Sequence, residues 1–227
     1  MSESARSVAI KVNAEHTVSA LLIAPVKARA CYVMAHGAGA GMQHPFMHAV
    51  AVELAERGVA TLRYQFPYME QKKKRPDSPK LAHATVRAAV AEAARLVPRL
   101  PLVAGGKSFG GRMTSQAQAA LPLEGVRGLA FFGFPLHPPG APSDERAEHL
   151  NDVRIPMLFL QGSRDEFADL SLLRPLITRL GKWAQLALFD DADHSFHVPA
   201  RTGKKDGDVR RAVLDSFANW IDEAVLG

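Results

Sequence analysis

The stretch Pro101-Leu102-Val103-Ala104-Gly105-Gly106-Lys107-Ser108-Phe109-Gly110-Gly111 carries a short apolar run into a serine set between glycines, and a helix-forming stretch follows. A strand that turns sharply into a helix through Gly106-x-Ser108-x-Gly110 is a nucleophile elbow. The turn strains the backbone of the central residue, and glycine on either side removes the Cβ atoms that would block its close approach. Ser108 Oγ would then stand exposed above a sheet. An isolated G-x-S-x-G arises easily by accident, so its weight depends on a base, an acid and an oxyanion hole elsewhere in the chain.

A serine hydroxyl is a poor nucleophile at neutral pH and needs an imidazole to take its proton and return it to the leaving group. His194, in Asp190-Asp191-Ala192-Asp193-His194-Ser195-Phe196, follows the last predicted strand and precedes the last predicted helix, so its loop can reach over the elbow. His197 points in a different direction from the same loop and is the weaker candidate. The acid that orients the imidazole is predicted to be Asp165, which follows the strand Ile155–Leu160 through a glycine turn and emerges at the same sheet edge. Glu166 and Asp169 fit solvated or helix-capping roles. Asp190, Asp191 and Asp193 are too close to the histidine in sequence to fold back onto the far ring nitrogen.

An oxyanion hole needs two backbone N–H groups aimed at the developing charge. The amide of Phe109, next to the nucleophile at a helix start, is one candidate. The run His36-Gly37-Ala38-Gly39-Ala40-Gly41 after another strand supplies the other, at Ala38. That run is no dinucleotide fingerprint, because G-x-G-x-G lacks the G-x-G-x-x-G spacing. Gly106-Lys107-Ser108 is no P-loop either, since Pro101 stands where that motif needs its first glycine.

Outward from these motifs, short apolar runs alternate with stretches of helical period, the pattern of a mostly parallel α/β sheet wrapped by helices. Strands are predicted at Val8–Val12, Val18–Ala24, Ala30–Ala35, Val59–Arg63, Pro101–Ala104, Gly128–Phe132, Ile155–Leu160 and Trp183–Phe189, the two N-terminal ones as an antiparallel hairpin. Helices are predicted around Phe46, Val50 and Leu54, around Val86, Val90, Ala93 and Val97, around Leu173, Leu176, Ile177 and Leu180, and around Val209, Val213, Phe217, Trp220 and Ile221. The 227 residues suit a single α/β domain spanning 1–227. Between Phe132 and Ile155 the chain is short and rich in proline, which predicts a minimal lid.

The absence of a leader-like N-terminus or a long apolar run suggests a cytoplasmic protein with no membrane association. The lone Cys31 lies in an apolar strand and reads as a buried structural thiol. The net charge of +5 comes in part from Lys72-Lys73-Lys74-Arg75 and from Arg201, Lys204, Lys205, Arg210 and Arg211. Without aromatic residues interleaved at stacking spacing, these clusters do not read as a nucleic-acid surface. They read as solvated faces that could steer anionic substrates.

Together, His36-Gly-Ala-Gly, Gly106-Lys-Ser-Phe-Gly-Gly-Arg112-Met113, Gly162-Ser-Arg-Asp165 and Asp193-His194-Ser-Phe196 resemble the α/β-hydrolase superfamily, and the order Ser108, Asp165, His194 is its chain order. The subgroup it resembles is small and lidless. It includes dienelactone-hydrolase-like proteins and the hydrolase-like domains of testis-expressed and histone-acetyltransferase-complex proteins. The segment Arg63-Tyr64-Gln65-Phe66-Pro67-Tyr68-Met69-Glu70, with the basic run after it, is similar to a signature of that subgroup. Dienelactone hydrolases proper use cysteine where this chain has Ser108, so the resemblance implies fold and triad and not lactone specificity. Tyr64, Phe66 and Tyr68 are candidates for a substrate wall, the alternative being that the same aromatics pack their loop on the sheet edge, and Arg112 is a candidate for a structural ion pair. The resulting expectation is a serine hydrolase for a small acyl substrate, without metal or cofactor. The alternative is a non-catalytic interaction protein that keeps the fold.

Overall fold

A computed structural model describes residues 4–227. Eight strands form one sheet in the order β1-β2-β4-β3-β5-β6-β7-β8. The strands β1 (Arg6–Lys11) and β2 (Thr17–Ile23) form the predicted antiparallel hairpin, and β2 runs antiparallel to β4 (Val59–Tyr64). From β4 through β3 (Ala30–Ala35), β5 (Leu102–Lys107), β6 (Val126–Phe132) and β7 (Met157–Gly162) to β8 (Ala184–Phe189), every pairing is parallel. This is the predicted α/β architecture, and it sends the loops after β3, β4, β5, β7 and β8 to one edge.

Both sheet faces are covered, which is why the parallel strands read as near-continuous apolar runs. One core layer sets α3 (Pro79–Leu96), α4 (Phe109–Ala120) and α5 (Leu170–Leu180) against Cys31, Val33, Leu62 and Phe131. The other sets α1 (Pro45–Glu56) and α6 (Asp206–Trp220) against Tyr32, Met34, Phe132 and Leu160. Cys31 is fully buried and unpaired, and burial pushes its thiol up to about 12, so it is an inert packing residue.

Strand β5 runs to Lys107, three residues beyond the end predicted from the apolar run. Gly105 and Gly106 look like loop residues in sequence, yet here they are central sheet residues with no room for side chains. A Cβ on Gly105 would lie 1.8 Å from the Ala130 oxygen, and one on Gly106 2.1 Å from the Ala35 oxygen. The segment between β6 and β7 carries a single 3-10 helix, Glu145–Asp152, docked on α4 through a 2.7 Å hydrogen bond between Ser115 and His149. It packs on the side of the domain, and no residue of it lines the cleft described below. No helix among the described residues is long and apolar enough to cross a membrane.

Candidate active site

Ser108 caps α4 with φ 49° and ψ −116°, a strained conformation for a residue with a side chain. Its amide donates to the Phe132 carbonyl at 3.1 Å, which pins the turn to β6. Gly110 lets the first turn of α4 press on β3, because a Cβ there would lie 2.6 Å from the His36 oxygen. The sequence therefore builds the elbow by removing side chains wherever strand and helix meet.

Asp165 lies in the turn after β7 and is 5% exposed. Its Oδ2 accepts from His194 Nδ1 at 2.7 Å and from Gln161 Nε2 at 2.5 Å, and its Oδ1 accepts from the Phe167 amide at 2.8 Å. A carboxylate fixed by three donors cannot rotate away from the ring. The two loops are also stitched together: Arg164 N donates to Ala192 O at 2.9 Å, and Asp191 N donates to the Ser163 side-chain Oγ at 2.9 Å. Gly162 permits this approach, since a Cβ there would come 2.3 Å from the Ala192 oxygen. Phe167 packs on the imidazole with ring centroids 4.3 Å apart.

The other acids near the site have different duties. Asp193 Oδ1 accepts from the amides of Ser195 and His197, closing its own turn. Asp169 caps α5 by accepting from Ser171 N, and Glu166 is exposed. His197 is exposed and pairs with Asp206 at 2.8 Å.

Ser108 and His194 line one cleft of about 330 Å³ with Gly37, Ala38, Phe46, Met47, Lys107 and Phe167. Ala38 is exposed on the loop after β3. Its neighbours' amides are already committed: Gly39 N donates to Tyr68 Oη at 3.0 Å, Ala40 N to Gly37 O at 3.2 Å, and Met42 N to Gln65 Oε1 at 2.8 Å. Phe109 is the first residue of α4, where an amide has no intrahelical partner.

Tyr64, Phe66 and Tyr68 are not brought to the cleft. Tyr64 is a residue of β4, Phe66 caps the four-residue helix α2 (Pro67–Glu70), and Tyr68 lies within it; all three are buried in the core. Their role is to support the loop after β3. Phe66 N donates to His36 Nε2 at 3.1 Å, while His36 Nδ1 bonds the Gly37 carbonyl at 2.8 Å. That pattern fixes a neutral imidazole, and burial pulls the His36 pKa down to about 4. Phe66 also packs on Phe109, with centroids 5.4 Å apart, so one aromatic touches one oxyanion-hole candidate and the histidine that opens the loop bearing the other. Sequence reasoning placed these aromatics at the correct sheet edge and left a substrate wall and inward packing both open; the structure has them face inward, for which the apolar character of Val59–Tyr64 was a signal in the first of them.

Lys72–Arg75 lie on an exposed turn after α2 and do not line the cleft, whereas Lys107 does. Arg112 has no ion pair among the described residues: its Nε is buried without a hydrogen-bond partner, and Arg146 is its charged neighbour. Among the described residues no group of three or more His, Cys, Asp or Glu side chains gathers to hold a metal ion.

Residues 28–222 match the family described as alpha/beta hydrolase domain. The fold is similar to that of a dienelactone hydrolase from Anabaena variabilis, with a TM-score of 0.77 and 21% identity over 99% of each chain. It is also similar to a serine hydrolase without a lid from Xanthomonas campestris, with a TM-score of 0.73 and 21% identity over 97% of this chain and 96% of that one. The esterase domain of a Rhodothermus marinus protein superposes with a TM-score of 0.71 at 16% identity, covering 98% of this chain and 99% of that one. At these identities the likeness is one of fold.

Proposed function

Because the chain belongs to the alpha/beta hydrolase domain family, we propose that it is a serine hydrolase cleaving a small carboxylic ester, thioester or related acyl compound through an acyl-enzyme on Ser108. The observation that carries this reading is the 2.7 Å bond from His194 Nδ1 to Asp165 Oδ2, in the same cleft as a serine with positive φ. The carboxylate can only accept, so Nδ1 carries the proton and Nε2 is left as the base.

In the first half-reaction His194 Nε2 takes the Ser108 proton as Oγ attacks the acyl carbon. The amides of Ala38 and Phe109 donate to the oxyanion that forms. His194 then gives its proton to the departing alkoxide or thiolate. A water attacks the acyl-enzyme in the second half, His194 takes its proton, and as the tetrahedral intermediate collapses His194 gives that proton to the departing Ser108 Oγ, releasing the acid and restoring both residues. Asp165 stays ionised throughout and stabilises the imidazolium.

The cleft has apolar side chains from Phe46, Met47 and Phe167 and no lid above it. It therefore offers surface for a short acyl group and little for a long one. Turnover of p-nitrophenyl acetate and butyrate by the wild type, lost in Ser108→Ala with the fold retained, is the expected result. Undiminished turnover in that variant would overturn the assignment.

A further inference from the structure

Lys107 precedes the nucleophile at the end of β5; its half-buried side chain lines the cleft, and its ammonium reaches the loop that carries the base. Nζ donates to the backbone carbonyl of His194 at 2.6 Å and lies 5.9 Å from the centre of the Phe196 ring. Space for it is reserved by Gly133, just past β6, where φ is +68°. A Cβ there would lie 2.9 Å from Lys107 Nζ and 3.2 Å from His194 Cε1 and Nδ1. Resting on the triad reading above, we infer that Lys107 is a positioning residue: it ties the backbone that carries the base to the strand that carries the nucleophile, and so sets where the His194 ring stands over Ser108.

A cation partly withdrawn from water is costly, and it is tolerated where hydrogen bonds and opposite charge compensate it. Both are present. The charged and titratable groups facing the ammonium are Asp165 from the loop after β7, and Asp193 and His194 from the loop after β8, while Gly133 contributes only backbone. Burial lowers the Lys107 pKa to about 8, with the two aspartates opposing the fall. An alkyl chain of equal length would fill the space equally well and leave the His194 carbonyl without its donor. What the ammonium adds is a fixed point for the base, one residue from the nucleophile.

The test compares wild type with Lys107→Met and Lys107→Gln, using p-nitrophenyl butyrate hydrolysis and the rate of fluorophosphonate labelling. A catalytic group displaced by about 1 Å can lose on the order of 10²-fold in rate. Lys107→Met is therefore expected to lose about 10²-fold in kcat and in labelling rate with KM nearly unchanged, while Lys107→Gln, which keeps an N–H donor one bond shorter, recovers part of the loss. A charge-assisted hydrogen bond is roughly twice as strong as a neutral one. Wild-type kcat should thus decline as pH rises through about 8, and that limb should vanish in both variants. Wild-type kcat in Lys107→Met, or the same basic limb persisting there, would overturn the inference. If Lys107→Met does not fold, Lys107→Gln decides alone by the same kcat and pH criteria. A wild type that the probe does not label refutes the serine-hydrolase reading itself, whereas equally fast labelling of wild type and variants refutes only the role of Lys107.

Discussion

Asp165 Oδ2 stands 2.7 Å from His194 Nδ1, and among the described residues the carboxylate's other hydrogen bonds come from its own turn and from β7. The acid is thus held by the sheet and holds the ring in turn. Asp165→Asn should keep the packing but present an amide to Nδ1, favouring the wrong tautomer. By analogy with other triads the acylation rate should fall on the order of 10⁴-fold. Glu166→Gln should change it little, because Glu166 is exposed. Stopped-flow acylation of both variants checks the ranking, and the reverse order would move the acid to Glu166.

Tyr68 Oη accepts the Gly39 amide at 3.0 Å and ties α2 to the loop that bears Ala38. Tyr68→Phe removes that acceptor while leaving the ring in place. Loss of one such hydrogen bond costs about 1 kcal/mol of stability, measurable in a urea melt. A larger proportional loss is expected in kcat than in KM, since the loop amide matters most when the oxyanion forms. Unchanged kcat would show that the loop holds its shape without the tyrosine.

His36 makes stability depend on pH with a definite sign. Its pKa is about 4 in the folded protein against 6.5 for the unfolded chain, so the unfolded state binds more protons between those values. Its stabilising contribution is complete above pH 6.5 and is lost as pH falls toward 4. Urea midpoints measured across that window should fall more steeply for wild type than for His36→Asn. Parallel curves would show that the imidazole is not buried neutral.

Substrate size follows from the cleft of about 330 Å³ and the position of the 3-10 helix Glu145–Asp152 away from it. Across a p-nitrophenyl series, kcat/KM should peak at short acyl chains and decline beyond them. A maximum at long chains would require apolar surface that the open cleft does not offer.

The fold was legible because parallel strands buried on both faces read as apolar runs, and all eight appear within a few residues of their expected limits. The end of β5 was not, since Gly105 and Gly106 are strand residues through crowding by Ala130 and Ala35, a fact of tertiary structure with no local signal. Ser108, Asp165 and His194 could be proposed from sequence because each follows a strand at the same sheet edge. Two kinds of residue could not be placed from sequence alone. Tyr64, Phe66 and Tyr68 lie at that edge but turn into the core, and direction along a short helix such as α2 cannot be read from spacing. Lys107 was passed over because lysine ordinarily signals solvent, and only Gly133 and the His194 carbonyl reveal where its ammonium is held.

The central claim is that Ser108 is an activated nucleophile, and its most direct measurement is fluorophosphonate labelling of the wild type, Ser108→Ala and His194→Ala, with the adduct located by peptide mass spectrometry. Stoichiometric modification of wild type at Ser108, with none in Ser108→Ala and a severely slowed reaction in His194→Ala, is the predicted result. Labelling at another residue, or a folded wild type that does not react, would contradict it.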